Sequence, residues 1–322
     1  MDCHTIGGFF GIDGKKLQRQ YKKSLSDFET WIDKPHAEDW LIYPENIGER
    51  LSIDETALSK GELYTIITNK YKKGKKGSIV AIFSGTKVEP IIEKLLTISI
   101  KLRRKVKEIT LDMANSMKNI AAKCFPEAVQ VTDRFHVQKL ANEALQNIRV
   151  QERWKALDQE NQALKQAREK GVKYEDFEFD NGDTKKQLLI RSRYLLTMSP
   201  DKWTLKQYNR AIILFKEYPN IKKGYDIAQE LRVIYNYTTV KEVAYTKLAH
   251  WYNLVEQTDL KCFNTVINSI QLNYQTILNY FDHRSTNASA ESFNAKIKAF
   301  RSLFRGVRDI KFFLYRLTKI FA

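Results

Sequence analysis

The stretch that decides the fold is residues 49–84, with the sequence ERLSIDETALSKGELYTIITNKYKKGKKGSIVAIFS. It contains three short strand-like runs, RLSIDE, ELYTIIT and GSIVAIF, in quick succession. The lysines and glycines of KKGKKG, between the second and third runs, are typical of a hairpin turn. The stretch therefore predicts three antiparallel strands at the start of a sheet.

Helical and strand-like segments alternate after this stretch. Helical spacing predicts one helix from Val88 to about Lys105 and another over Met113–Cys124. The runs VKEITLD and AVQVTD, one before and one after the second helix, are strand-like. The order β-β-β-α-β-α-β predicts an α/β fold with a mixed sheet. By analogy of fold, this order indicates an RNase H-like core.

The remaining segments divide the chain into four predicted parts. Residues 1–46 are expected to form a short N-terminal arm, with a helix around Lys15–Trp31, and a linker. Residues 47–139 are expected to form the first part of the core. Residues 140–280 have an almost wholly helical pattern, which predicts a large all-α insertion that interrupts the core. Residues 281–322 are expected to complete the core with one helix and to end in a basic helix.

The composition of the chain limits the class of protein. Among 322 residues, 54 are Lys or Arg and 38 are Asp or Glu, which gives a formal net charge of +16. A charge this large favours an acidic polymer as partner, although a merely basic protein is the alternative. The three cysteines are far apart and fit a reducing cytoplasm. No apolar run approaches the roughly 20 residues needed to cross a bilayer. We expect a cytoplasmic, nucleoid-associated protein with no membrane partner.

Basic residues cluster in three places, KYKKGKK at 70–76, KLRRKVK at 101–107 and KIKAFRSLFRGVR at 296–308. Such patches bind the phosphate backbone of nucleic acid without reading its sequence. Each patch alone is also typical of a solvated face, but three patches in so basic a chain favour DNA. The residues expected to contact DNA are Lys72, Lys73, Lys75, Lys76, Arg103, Arg104, Lys296, Lys298, Arg301, Arg305 and Arg308.

Two aspartates lie at candidate site positions of the predicted sheet. Asp54 belongs to a strand otherwise fit for burial, where an acid is costly unless it is paired, bound to metal or exposed at the strand end. Glu55 is expected on the opposite face because side chains alternate along a strand. Asp112 ends the strand EITLD, which would lie beside the first strand, where open α/β sheets bind ligands. Asp112 also suits the N-cap of the following helix.

A third carboxylate, Glu291, lies in the segment RSTNASAESFNAKIK. Asn287, Glu291, Asn294 and Lys298 share one polar stripe at helical spacing. A neighbouring apolar stripe would pack this helix on the sheet, which places Glu291 at the border of a buried face. A solvated surface glutamate is the alternative, but the asparagines make the stripe unlike an ordinary exposed face.

Two aspartates and a glutamate from distant positions suit one type of metal chemistry. Mg²⁺ is a hard cation that takes oxygen ligands, and Mn²⁺ can replace it. Two such ions can bracket a phosphodiester and stabilise both the attacking and the leaving oxygen. Asp54, Asp112 and Glu291 are therefore the predicted catalytic and metal-binding residues.

Asp133 and His136 stand in a second polar element, VTDRFHVQKL. One interpretation is an Asp-capped helix with His in its first turn. The other is a pair that positions DNA or shapes the active site. Asp133 is also the substitute candidate for the second metal ligand.

Three segments of the chain resemble insertion-sequence transposases of the ISL-three type. They are LSIDETALSKGELYTIITN, EITLDMANSMKNIAAKCFPEAVQVTDRFHVQKLANEALQNIR and TNASAESFNAKIKAFRSLFRGVRDIKFFLYRL, within residues 49–322. The DRFHV and TN…E..N.KIK elements are the parts of the resemblance that are specific to this family. The resemblance implies a DDE-class enzyme with an RNase H-like core and a triad at Asp54, Asp112 and Glu291. It also implies an Asp-x-x-His element at Asp133 and His136, and an all-helical insertion before the glutamate.

The chain departs from this family in two respects. Ser292 follows the glutamate where the family usually has glycine, a small change that should not abolish metal binding. Such transposases also usually begin with a cysteine-rich zinc element and a helix-turn-helix, and residues 1–46 contain neither. End recognition would then come from a separately encoded partner, or the chain is a fragment.

These observations predict the catalytic chain of a bacterial DNA transposase. It would cleave phosphodiester bonds at transposon ends with Mg²⁺ and transfer the strands to target DNA, acting on DNA as a homodimer or larger assembly. One alternative is a transposase-derived DNA-binding protein without catalysis, which the presence of all three acids disfavours. The other is an RNase H-like nuclease or resolvase, which the long helical insertion disfavours.

Overall fold

The structure is a computed structural model that describes residues 3–59, 61–303, 307 and 309–322. The chain folds into two compact units. Unit 1 comprises Met1–Asp133 and Ser285–Ala322, and unit 2 comprises Arg134–Arg284. The chain thus leaves unit 1 after Asp133 and returns to it at Ser285, a few residues outside the predicted limits of the insertion.

Unit 1 is built on one mixed sheet. Among the described residues, its strands are β1 (Trp40–Ile42), β2 (Arg50–Ser59), β3 (Glu62–Asn69), β4 (Ile79–Ser84), β5 (Glu108–Leu111) and β6 (Val129–Thr132). The order across the sheet is β1-β4-β3-β2-β5-β6. Neighbouring strands in the row β1, β4, β3 and β2 are antiparallel to each other. In contrast, β5 is parallel to β2, and β6 is parallel to β5. The predicted mixed α/β class is confirmed.

Helices surround this sheet and make up nearly all of unit 2. Those of the first segment of unit 1 are α1 (Cys3–Phe10), α2 (Gly14–Gln20), α3 (Val88–Leu96), α4 (Ile100–Arg103) and α5 (Asn115–Cys124). Those of unit 2 are α6 (Arg134–Glu169), α7 (Lys185–Arg191), α8 (Leu205–Glu217), α9 (Pro219–Tyr237), α10 (Lys241–Gln257), α11 (Asn264–Leu272), α12 (Tyr274–Leu278) and α13 (Tyr280–His283). The last segment of unit 1 contains α14 (Ala288–Leu303) and α15 (Ile310–Phe321). None of the described helices is both long and apolar enough to cross a membrane.

The N-terminal region differs from its prediction. The helix expected near Lys15–Trp31 is α2 followed by one π-helical turn, Tyr21–Leu25. The stretch predicted as a linker contains β1, which pairs with β4 and forms an edge of the sheet. A three-residue strand between prolines carries too little alternation to be predicted from its own sequence. The N-terminal segment also packs on α15, where Phe28 contacts the rings of Phe312 and Tyr315.

The two faces of the sheet bury separate apolar clusters. On one face, Leu51, Ile53 and Leu111 pack against α3 and α5. On the other face, Tyr64 and Ile66, together with Ile79 and Ile82 of β4, pack against Phe293 and Ile297 of α14 and Leu314 of α15. Because side chains alternate along β2, the residue after Ile53 faces α14 rather than α3 and α5. This alternation determines the face on which the candidate site lies.

Unit 2 is helical throughout most of its described residues, and it contains a charge cluster around the fully buried carboxylate of Asp183. Its core includes Leu145 of α6 and Leu231 of α9, and the indole N–H of Trp251 donates to the Ile227 carbonyl at 2.9 Å. Asp183, 0% exposed, precedes α7 and accepts hydrogen bonds from Arg191 and from Arg210 Nε, the latter at 2.7 Å. Burial raises the pKa of Asp183, but the hydrogen bonds from the two arginines outweigh this effect and lower it overall. This carboxylate therefore connects α7 to α8.

Candidate active site

Three aspartates lie at neighbouring positions on the parallel strands. Asp54 lies within β2, which continues to Ser59, whereas Asp112 and Asp133 directly follow the ends of β5 and β6. Ser52 of β2 is level with Thr110 of β5, so two residues further along both strands Asp54 is level with Asp112. The register of β5 against β6 places Asp133 level with Asp112 in the same way. Adjacent strands are about 4.8 Å apart, so the three residues form a continuous row. We call Asp54, Asp112 and Asp133 the carboxylate row.

Helix α14 is joined to this row through a direct hydrogen bond. The side-chain amide of Asn294 donates to Asp54 Oδ2 at 2.6 Å. The backbone N–H of Glu55 donates to the other oxygen, Oδ1, at 2.9 Å. Both oxygens of Asp54 thus accept from fixed donors, which orients the carboxylate.

Glu291 lies one helical turn before Asn294 on α14. Its side chain is exposed, and its N–H donates to the Asn287 carbonyl at 2.9 Å. Asn287 is 1% exposed, so it belongs to the packed base of the helix rather than to its surface. The structure therefore brings Asp54 and Asn294 into contact and places Glu291 on the same helix.

Asp112 is not the N-cap residue that the sequence suggested, because α5 begins at Asn115 and its N-cap is Ala114. One oxygen of the Asp112 carboxylate accepts a hydrogen bond from the N–H of Ala114, at the start of α5. Glu55, which the sequence had set aside, is nevertheless close to the row. Burial raises the pKa of Glu55, and the charges of Asp112 and Asp54 raise it further. Strand alternation predicts the face on which a side chain lies, but it does not predict which charged groups are close enough to shift its pKa.

Beneath the row lies a buried polar cluster that no sequence pattern indicated. The ammonium of Lys70, just after β3, contacts Thr110 Oγ1 at 2.6 Å, Ser285 Oγ at 2.7 Å and Glu108 Oε1 at 3.3 Å. Ser285 also donates to Glu108. Burial lowers the pKa of Lys70, and the charge of Glu108 opposes this change. We call Lys70, Glu108, Thr110 and Ser285 the Lys70 cluster.

A comparison with known families decides what kind of chain carries this arrangement. A family model described as a transposase, of the DDE class and ISL3 type, matches residues 51–317. The chain belongs to this transposase family. The matched segment includes Asp54, Asp112, Asp133 and Glu291, and the resemblance predicted from the sequence is confirmed.

One relative gives a second comparison. A transposase for insertion sequence element IS1001 from Bordetella parapertussis is 24% identical to the chain over 277 residues. The similar region covers 85% of the chain and 61% of that relative, so the chain spans about three-fifths of the relative's length. No solved structure matches the chain.

The Asp-x-x-His element of the family is divided between the two units. Asp133 is 1% exposed and belongs to unit 1. His136 is half-buried in the first turn of α6 and belongs to unit 2, where its ring meets the edge of Phe135 at 5.7 Å between centroids. A joint role for the pair remains a prediction.

The predicted DNA contacts fall into several groups in this transposase. Lys72, Lys73, Lys75 and Lys76 are exposed on the loop before β4, and Arg104 and Lys298 are also exposed. Lys296 reaches this loop and donates to the Gly74 carbonyl at 2.8 Å. Arg301 is half-buried, and its guanidinium lies 3.4 Å from the Ala57 carbonyl. Arg305 and Arg308 lie outside the described residues.

Arg103 is a correction to that predicted set. It is 8% exposed, and its guanidinium donates to the carbonyls of Ile98 at 3.0 Å and Cys124 at 2.8 Å. These bonds connect the end of α5 to the turn before α4. A guanidinium enclosed in this way stabilises the fold and is not placed to contact a phosphate.

The donor set of the site matches Mg²⁺ in its chemistry. Carboxylate oxygens are the ligands that this cation prefers, and the row with the neighbouring Glu55 provides several of them. Within the part of the chain that the structure describes, however, no three His, Cys, Asp or Glu side chains converge closely enough to hold a metal ion. The row therefore supplies suitable ligands but not a closed coordination shell.

Proposed function

We propose that this chain is the catalytic chain of a DNA transposase that cleaves phosphodiester bonds at element ends and transfers the strands to target DNA. The observation that carries the proposal is the position of Asp54 and Asp112 two residues beyond the paired Ser52 and Thr110 of β2 and β5, with α14 bonded to Asp54 through Asn294. In a member of a transposase family, carboxylates from three separate segments at one sheet edge support phosphoryl transfer.

Asp54, Asp112 and Glu291 would hold Mg²⁺, or Mn²⁺ in its place. When bound, the metal would act as a Lewis acid toward the phosphodiester. Asn294 and the Glu55 N–H keep both oxygens of Asp54 in one orientation, which lowers the cost of ordering this ligand. The exposed lysines of the loop before β4 would hold the DNA backbone by charge.

We also propose that unit 1 is an RNase H-like core. Its support is the sheet order, in which the antiparallel strands β1, β4, β3 and β2 are followed by the parallel strands β5 and β6, and the position of unit 2 in the chain between β6 and α14. The proposed partners are transposon ends, target DNA, a second copy of the chain and a separately encoded end-recognition protein. A chain that bound DNA but did not cleave it would instead be a transposase-derived binding protein.

Asp112 and Asp133 are expected to differ in their effect on cleavage. Asp112→Asn should abolish Mg²⁺-dependent cleavage, because Asp112 is the partly exposed neighbour of Asp54. Asp133→Asn should reduce cleavage less completely, because Asp133 is almost fully enclosed and lies one strand further out. Cleavage of labelled duplex measures both, with a thermal unfolding curve as the control for folding. The opposite ranking would transfer the second metal-ligand role to Asp133.

The exposed loop lysines are expected to determine how DNA binding depends on salt. Replacing Lys72, Lys75 and Lys76 by Gln should flatten the slope of log K against log salt by roughly two to three units, because each phosphate contact contributes about 0.9. Fluorescence anisotropy at several salt concentrations measures the slope. The matched control replaces three exposed lysines of unit 2, Lys165, Lys170 and Lys173. An equal change of slope in the two triple variants would mean that DNA binding depends on the net charge of the protein and not on the loop lysines.

A further inference from the structure

The Lys70 cluster joins three segments of unit 1 that are distant in sequence. Lys70 follows β3, Glu108 and Thr110 belong to β5, and Ser285 is the residue at which the chain returns from unit 2. The side chains of Lys70 and Glu108 are 12% and 6% exposed, and Ser285 is 7% exposed. An ion pair this enclosed is stable only when its remaining donors and acceptors are satisfied.

The geometry of the cluster leaves little freedom. An ammonium has three donor hydrogens, and Lys70 has three oxygen neighbours, on Thr110, Ser285 and Glu108. The Ser285 hydroxyl accepts a hydrogen bond from the Lys70 ammonium and donates one to the Glu108 carboxylate, so it supplies a hydrogen-bond partner to both charged groups. Withdrawal of Ser285 would leave two buried charged groups each short of one partner. The return point of the chain is thus fixed on the sheet by charge as well as by packing.

Glu291 lies between this attachment and a second one. Ser285 precedes it by six residues, and Asn294, bonded to Asp54, follows it by three. Glu291 itself is exposed, so its own side chain is not held by packing. Its position relative to the row is set by the backbone of α14, which is attached to the sheet on both sides of it. Catalytic groups act well only when their supporting elements are fixed in this way.

We infer that Lys70, Glu108 and Ser285 are positioning residues that fix the start of α14 against the sheet and so hold Glu291 at the carboxylate row. The inference rests on the proposed function only for the role of Glu291. Ser285, which precedes α14, is bonded to both Lys70 and Glu108, so these residues would act through α14.

Hydrogen exchange tests the attachment directly. Ser285→Ala should raise the exchange rates of the backbone amides in residues 288–294 roughly tenfold, as expected when one buried hydrogen bond is lost from a local structure. Ser285→Thr, which keeps the hydroxyl, should restore slow exchange. Ser302→Ala is the matched control, because Ser302 is an exposed serine of α14 whose hydroxyl bonds only within the helix in the described contacts. Unchanged exchange in Ser285→Ala, or a uniform rise throughout unit 1, would overturn the inference.

Cleavage kinetics test the consequence for Glu291. At saturating DNA and Mg²⁺, Ser285→Ala should cleave roughly 10–100-fold more slowly, while its DNA dissociation constant changes less than about twofold. A normal rate in a variant whose α14 exchanges faster would also contradict the inference. If the wild-type protein did not cleave DNA at all, the proposed function would fail, whereas the exchange result would still decide whether the cluster fixes α14.

Discussion

Asp54→Asn should leave the transposase folded and reduce Mg²⁺-dependent cleavage by at least about 10²–10³-fold, the scale of losing one electrostatic contact to a transition state. The amide keeps the size of the side chain but loses the charge that would hold the cation. It also changes the contact with Asn294, because the hydrogen bond at Asp54 Oδ2 needs an acceptor at that position. We expect that the remaining acids cannot replace a ligand whose two oxygens are held by Asn294 and the Glu55 N–H.

The measurement is strand cleavage and joining on duplexes that carry the inverted repeats flanking the gene. Asp39→Asn is the matched control, since Asp39 is an exposed aspartate of unit 1 outside the carboxylate row. It should retain full activity. Circular dichroism and thermal unfolding confirm that each variant is folded. Strand transfer by Asp54→Asn at the wild-type rate would remove Asp54 from the triad.

Among the substitutions considered, Asp183→Asn in unit 2 should lower the free energy of unfolding most. Removing one member of a buried ion cluster leaves uncompensated charge, which costs about 3–5 kcal/mol. Here the Arg210 side chain is only 20% exposed and would keep its charge without the carboxylate. The exposed pair of Asp226 and Lys222 is the matched control, because surface pairs contribute about 0–1 kcal/mol. Urea unfolding of Asp183→Asn and Asp226→Asn measures the two losses, and equal values would contradict this account.

The Asp183 cluster also predicts a pH dependence of stability. The pKa of Asp183 is lower in the folded protein than in the unfolded chain, so the unfolded state binds a proton more readily. The stabilisation is therefore fully present above the unfolded pKa, about 3.9, and is lost as pH falls through the folded pKa. The free energy of unfolding, measured from neutral pH to below pH 4, should fall more steeply in the wild type than in Asp183→Asn.

The elements that the sequence predicted well are those encoded by local pattern. Strand alternation in residues 49–84 and the acid at the end of EITLD were sufficient to place Asp54 beside Asp112. The helical stripe of Asn287, Glu291 and Asn294 likewise placed one asparagine near the sheet. These predictions succeeded because period and strand order together determine which residues share an edge.

The features that the sequence did not predict depend on distant partners. Arg103 and Lys70 both lie in basic runs that resemble solvated faces, yet both are enclosed. Their burial depends on the Cys124 carbonyl in one case and on Glu108 and Ser285 in the other. A single sequence does not show that residue 70 meets residue 285. The short strand β1 was not predicted for the same reason, because it forms by pairing with β4, which is distant in sequence.

The interruption of unit 1 by unit 2 also determines the order in which a ribosome can complete the protein. The sheet face that carries Tyr64 and Ile66 is covered by side chains of α14 and α15, which are synthesised last. Unit 2, about 150 residues long, takes roughly 8–30 s to translate at about 5–20 residues per second. During that interval the nascent chain presents an uncovered apolar surface and has no Glu291. If the proposed role of Glu291 holds, a product that terminates within unit 2 should be prone to aggregation through this surface and should not cut DNA.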